Sequence, residues 1–192
     1  MRVFEYWGSR EPYAEFLTAP EDQALWRREF HGESRLAHWS ALRLQRALDE
    51  PGQPRPTGPI ADVTTVNSVI KNCVWSPRAR RALEPHVGHC GEFLPLICDE
   101  AKWVLFNVTR VIDALDEAAS EVIYYDEQRK SGRFVRMVFK PEALAGEIIF
   151  RIPQRSSSDI FVTDAFVRLI EAQGLVGFEL KPVWSDEDPA SA

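Results

Sequence analysis

Apolar and polar positions alternate differently along the two parts of this chain. Between Asp22 and Phe30, Leu25, Trp26 and Phe30 fall close together on a helical projection. From Ser34 to Leu48 the apolar residues Leu36, Trp39, Leu42, Ala47 and Leu48 recur near a 3.6 period, with Ser34 as N-cap. Both stretches predict helices. Arg27, Arg28, Arg35, Arg43 and Arg46 give them a basic face, either a solvated amphipathic face or a contact for an acidic partner.

Beyond EPGQPRPTGPI, residues 50–60, the pattern changes. Four prolines and two glycines there read as an exposed connector. Ser76-Pro77 opens a helix running to about Pro85, with Ser at the N-cap and Pro in the first turn. The runs GEFLPLI, VLFNV, EVIYY, FVRMVFK, EIIFRI and DIFV are short and rich in β-branched and aromatic residues, as strands are. A second helix follows, with Thr163 as N-cap, Phe166, Val167 and Ile170 on one face, and Gly174 as the stop. VGFELKPV closes the body with a strand.

These strands are not interleaved with the helices that a parallel sheet needs. The expected fold is therefore α+β: a mostly antiparallel sheet with packed helices and a helical N-terminal segment. The expected divisions are a segment at 1–57, docked on the body or serving a partner, a body at 58–184, and an acidic frayed tail, SDEDPASA, at 185–192.

Composition narrows the function classes. The 192 residues are 45% hydrophobic and 27% charged, an ordinary globular balance. The net charge of -6 argues against nonspecific nucleic-acid binding and suits a basic partner. No apolar run approaches the roughly 20 residues of a membrane span. Glu5, Arg10 and Glu11 stand where a signal peptide needs an apolar stretch, so the expected location is cytoplasmic. Three cysteines without framework spacing fit reduced thiols.

The catalytic and cofactor motifs are poor. Cys73, His86, His89, Cys90 and Cys98 are zinc-type ligands within one region, but no pair has C-x2-C spacing, and core cysteines with loop histidines explain them. Ser156, Ser157 and Ser158 belong to a loop before a strand. No G-x-S-x-G, G-x-G-x-x-G or G-x-x-x-x-G-K occurs. RKSGRFVR, residues 129–136, reads as a hairpin turn with charged flanks. No cofactor and no metal are expected.

FNVTRVIDALD, residues 106–116, holds the densest polar chemistry on an apolar frame. Asp113 and Asp116, with Arg110 and His86 or His89, would serve an enzyme if they converged on one cleft. The local alternative is architectural: aspartates cap turns by accepting backbone N–H bonds, and Asn107 satisfies backbone groups.

Four blocks then occur in order: SPRARRALEPHVGHCGEFLPLI, KWVLFNVTRVIDALDEAAS, IIFRIP and DIFVTDAFVRLIEAQGLVGFEL. Together, over roughly residues 60–183, they resemble immunity family eleven of the bacterial polymorphic-toxin systems, formerly a domain of unknown function. The motif residues are Asn107, Arg110, Asp113 and Asp116, then Phe150, Arg151 and Pro153, then Asp164, Phe166 and Gly174. The resemblance implies a cytoplasmic, non-enzymatic antidote that binds a cognate toxin, with a nuclease as the target class, and it implies an architectural role for these residues. Candidates for partner contact are Asp99, Glu100, Tyr125, Asp126, Glu127, Trp26 and Trp39, because interfaces favour aromatic anchors and acidic groups complement a basic partner.

Overall fold

The computed structural model describes residues 1–9, 12–22, 30–48, 58–66, 69–125, 132–156 and 159–187, with backbone only at 69–72. Twelve strands and two α-helices occur among them: β1 (Arg2–Gly8), β2 (Phe16–Thr18), β3 (Leu44–Arg46), β4 (Val63–Val66), β5 (Val69–Trp75), α1 (Pro77–Val87), β6 (Gly91–Pro95), β7 (Val104–Val108), β8 (Glu121–Tyr124), β9 (Gly132–Arg136), β10 (Ile149–Phe150), β11 (Phe161–Thr163), α2 (Asp164–Ala172) and β12 (Phe178–Ser185).

The fold is mostly β, which corrects the expected α+β class with its helical N-terminal segment. Residues 2–8 form β1, the strand between β11 and β12 in a four-stranded sheet ordered β10-β11-β1-β12. The stretch from Ser34 to Leu48, expected as one helix, holds only a 3-10 turn at Leu36–His38 before β3. Ser34 caps no helix; its hydroxyl donates to Glu92 at 2.7 Å. The physical reason is alternation: Leu42 and Leu44 enter one core while Arg43 and Gln45 stay exposed, which is the period of a strand. Most of the expected helix at 22–30, most of the connector at 50–60, and the tail from 188 lie outside the described residues.

A six-stranded sheet is ordered β3-β2-β4-β5-β7-β6. Its pairings are antiparallel except β2 with β4. Just beyond β6, Ile97 forms a bridge with Arg43. The Leu44 N–H donates to the Ile97 carbonyl at 2.7 Å and the Ile97 N–H to the Leu42 carbonyl at 2.9 Å. The sheet thus curls back on itself, and its two outer strands satisfy each other. Phe16, Leu42, Leu44, Val66, Val74, Leu94, Leu96, Trp103 and Leu105 fill the inside.

The outside of this curl meets the four-stranded sheet. Tyr6, Trp75, Phe106 and Phe166 anchor the shared core. Trp75 stacks on Phe106 with ring centroids 4.7 Å apart, and its indole N–H donates to the Tyr6 hydroxyl at 3.1 Å. Helix α1 contributes Ala79, Leu83 and Val87, and α2 contributes Phe166 and Ile170. Ser76 caps α1 by accepting from the Ala79 N–H, and Thr163 caps α2 by accepting from Ala165. The far face of the four-stranded sheet packs Val3, Phe150, Phe161 and Trp184 against Leu115, Val138, Phe139 and Leu144. Strand alternation makes this layering possible: Phe161 faces one core and Val162 the other.

Candidate protein-binding surface

The stretch at 106–116 is built into this framework. Asn107 is 2% exposed at the end of β7, and its Nδ2 donates to the Glu33 carbonyl and to Glu92 Oε1, both at 2.9 Å. Glu92 also accepts from Ser34 and from the Arg35 N–H. Burial pushes the Glu92 carboxyl up, but the hydrogen bonds from Ser34, Arg35, Asn107 and Leu36 outweigh it and leave the pKa lowered. The pair ties the 33–36 segment to β6. Trp39 adds a bond from its indole N–H to the Pro95 carbonyl at 2.8 Å, so its polar tip and half-buried ring are engaged within the fold.

Arg110, Asp113 and Asp116 go three separate ways. Arg110 Nε donates to Glu147 Oε2 at 3.1 Å, and its Nη2 pairs with Oε1. Asp113 is exposed and lies 3.5 Å from Lys140 Nζ. Asp116 accepts from the Ala118 and Ala119 N–H groups, each at 3.1 Å, closing a local turn. His86 and His89 are exposed at α1 and just after it. The structure therefore brings no common cleft to these groups among the described residues.

Arg151 is the buried centre of the third motif. Its Nε donates to the Val108 carbonyl at 3.1 Å and its Nη1 to the Ser156 carbonyl at 2.8 Å. Burial lowers its pKa, while Cys73 and Asp159 pull it back up. Phe150 is fully buried beside it, and the exposed Pro153 begins a 3-10 turn, Pro153–Arg155, whose other residues are half-buried. Asp164 accepts from the Arg2 N–H at 2.7 Å and pairs with the Arg2 guanidinium, fastening β1 to the start of α2. Burial raises the Asp164 carboxyl and the Arg2 bonds outweigh it, leaving its pKa lowered. Phe166 sits edge-on to Tyr6, and Gly174 turns with φ +55.

One supporting group escaped sequence reasoning. Asp62 is buried and accepts from Ser76 Oγ and from the Val176 N–H, both at 3.0 Å, and from Arg78. Arg78 also donates to the Gln173 carbonyl at 2.7 Å, so one ion pair ties the start of α1 to the end of α2. An aspartate after an alanine carries no signal for this; only the folded neighbourhood creates the role.

The zinc-type candidates divide in the same way. Cys73 and Cys90 are buried, and burial pushes the Cys73 thiol up to about 12, against the pull of Arg151 and Tyr6. No group of three or more potential metal ligands occurs among the described residues. No described helix is long and apolar enough to cross a membrane.

The hairpin of β8 and β9 is different. Val122 pairs with Phe134, Ile123 with Arg133 and Tyr124 with Gly132. None of its nine residues is buried. Ile123, Tyr124 and Val135 are 44%, 44% and 51% exposed, and Tyr125 beyond the strand is 66% exposed. Beside the hairpin lies a cleft of ≈ 320 Å³ lined by Glu117, Val122, Tyr124, Gly132, Phe134, Gln154 and Arg155. Several large apolar side chains left exposed on one hairpin offer a candidate interaction surface. Tyr125 lies on it, whereas Asp99 and Glu100 are exposed in the connection between β6 and β7. Trp26, Asp126 and Glu127 fall outside the described residues.

The hairpin, the 106–116 stretch and the Arg151 turn all lie in one segment that matches a known family. Residues 99–185 match the immunity protein family Imm11. The motif blocks from Lys102 onward fall in this span, and the resemblance read from them is to the same family. The block at 76–97 lies outside the Imm11 match. No curated protein matches the chain. The matched family is one of immunity proteins.

Proposed function

We propose that the chain is an immunity protein that binds a cognate bacterial toxin and neutralises it in the cytoplasm of the producing cell. The observation that carries this reading is the Imm11 match across residues 99–185. The exposed Ile123, Tyr124, Tyr125 and Val135 of the hairpin region support it by offering apolar surface that the fold leaves open. A nuclease is the target class that fits the charge. Nucleases gather positive potential to hold phosphate, and an inhibitor of net charge -6 would be steered toward such a site. Binding would be non-catalytic, by steric or electrostatic occlusion.

Co-expression with the toxin-like product of a neighbouring gene tests the reading. Survival together with a co-purifying complex is the expected result. Survival without any complex would overturn neutralisation by binding, and death with every neighbour would overturn immunity itself.

A further inference from the structure

The cleft beside the hairpin has a specific chemistry. Tyr124 and Phe134 bring two rings to its lining. Its opposite wall is short of donors. Gln154 gives its amide Nε2 to Glu117 Oε1 at 2.5 Å, and its own Oε1 is buried without a partner. Gln154 is the only partner of the exposed Glu117 carboxylate among the described residues. The positive group in the lining, Arg155, is already held 2.5 Å from the buried carboxylate of Asp159.

An exposed carboxylate beside two aromatic rings selects one kind of guest. A cation with several N–H donors pairs with Glu117 and is attracted to the ring faces. A phosphate or an acidic side chain would meet Glu117 as a like charge. The volume, ≈ 320 Å³, sits at the small end of ligand pockets, about 300–1,000 Å³, and suits a single side chain better than a nucleotide. Val122, on the same face of the hairpin as Tyr124 and Phe134, adds apolar contact beside that anchor, whereas Ile123 and Val135 alternate to the other face.

We propose that the cleft between the β8–β9 hairpin and the turn at Pro153–Arg155 seats an arginine or lysine side chain presented by the toxin. The identity of the partner rests on the immunity reading; the preference for a cation does not.

Two experiments separate these. In the first, the full chain is titrated with the blocked tripeptides acetyl-Gly-Arg-Gly-amide, acetyl-Gly-Lys-Gly-amide and acetyl-Gly-Glu-Gly-amide while the Gln154 side-chain amide and the Tyr124 ring are followed by NMR. Saturable shifts with the basic peptides at millimolar concentration are expected, with none from the acidic one and none in Glu117→Gln. Equal response to the acidic peptide, no response to either basic peptide, or a response that survives Glu117→Gln would overturn the cation site. In the second, Glu117→Arg is measured against the toxin recovered from the co-expression complex. A loss of about tenfold or more in affinity is expected for a lost charge-assisted contact. An unchanged Kd would remove the cleft from the interface and leave neutralisation by binding intact.

Discussion

Strand β7 has four apolar residues of five and the β8–β9 hairpin five of nine, and both lie in the same matched segment. Their environments are opposite. All five residues of β7 are buried, whereas the hairpin buries none of its nine. β7 lies between β5 and β6, so Phe106 and Val108 enter one core while Leu105 enters the other. The hairpin forms a two-stranded sheet of its own, and a two-stranded sheet has little to cover it. Apolar content therefore reports stability in the first region and availability for contact in the second.

The largest test of this contrast is in the core. Phe106→Ala should cost about 3–5 kcal/mol, the usual toll of emptying a buried aromatic site. Ile123→Ala should stay within about 0.5 kcal/mol, as exposed positions do. Urea unfolding of the two variants compares them directly, and similar losses would break the contrast.

Arg151→Ala should follow, at about 3 kcal/mol, because the Val108 and Ser156 carbonyls would lose their donor and Asp159 its nearby positive charge. Thermal unfolding reads this, and partial rescue by Arg151→Lys would sharpen the assignment of a buried donor. A smaller effect belongs to the opening motif. Asp116→Ala should cost about 1 kcal/mol through the loss of two N–H contacts, while Asp113→Ala should leave the melting temperature unchanged. The reverse order would mean that Asp113 has the architectural role.

The smallest effect is in the acid range. The folded Glu92 carboxyl is more acidic than an unfolded one, so its contribution is present near neutrality and fades as pH falls through the ordinary carboxylate range toward its folded pKa. Solvent screening at this partly exposed group keeps the contribution below about 1 kcal/mol. The stability gap between the native protein and Glu92→Gln should narrow on acidification from pH 7 to pH 3. A gap that is constant or widens would show that the Glu92–Asn107 tie is not ionic.

Local chemistry made several features legible in advance. The caps at Ser76 and Thr163, the turn at Gly174 and the run Val104–Val108 need only neighbouring residues to define them. The turn-forming use of Asp116 is of the same kind. The N-terminal part misled because Leu36, Trp39 and Leu42 carry a helical period, while their partners are remote: Pro95 for the Trp39 indole and Ile97 for Arg43, just before β3. Periodicity records which residues seek burial and says nothing of what will cover them.

The sequence by itself determined the local stops and starts, the apolar runs able to become strands, the net acidity, and the motif blocks that lead to Imm11. Tertiary structure alone decided that the six-stranded sheet would curl and close at Arg43 and Ile97, that Asp62 would join two helices, and that Gln154 would meet Glu117 beside an uncovered hairpin. The physical reason is range. Capping, turn chemistry and propensity act over about one turn of chain, whereas burial and hydrogen-bond satisfaction depend on partners brought together from distant parts of it.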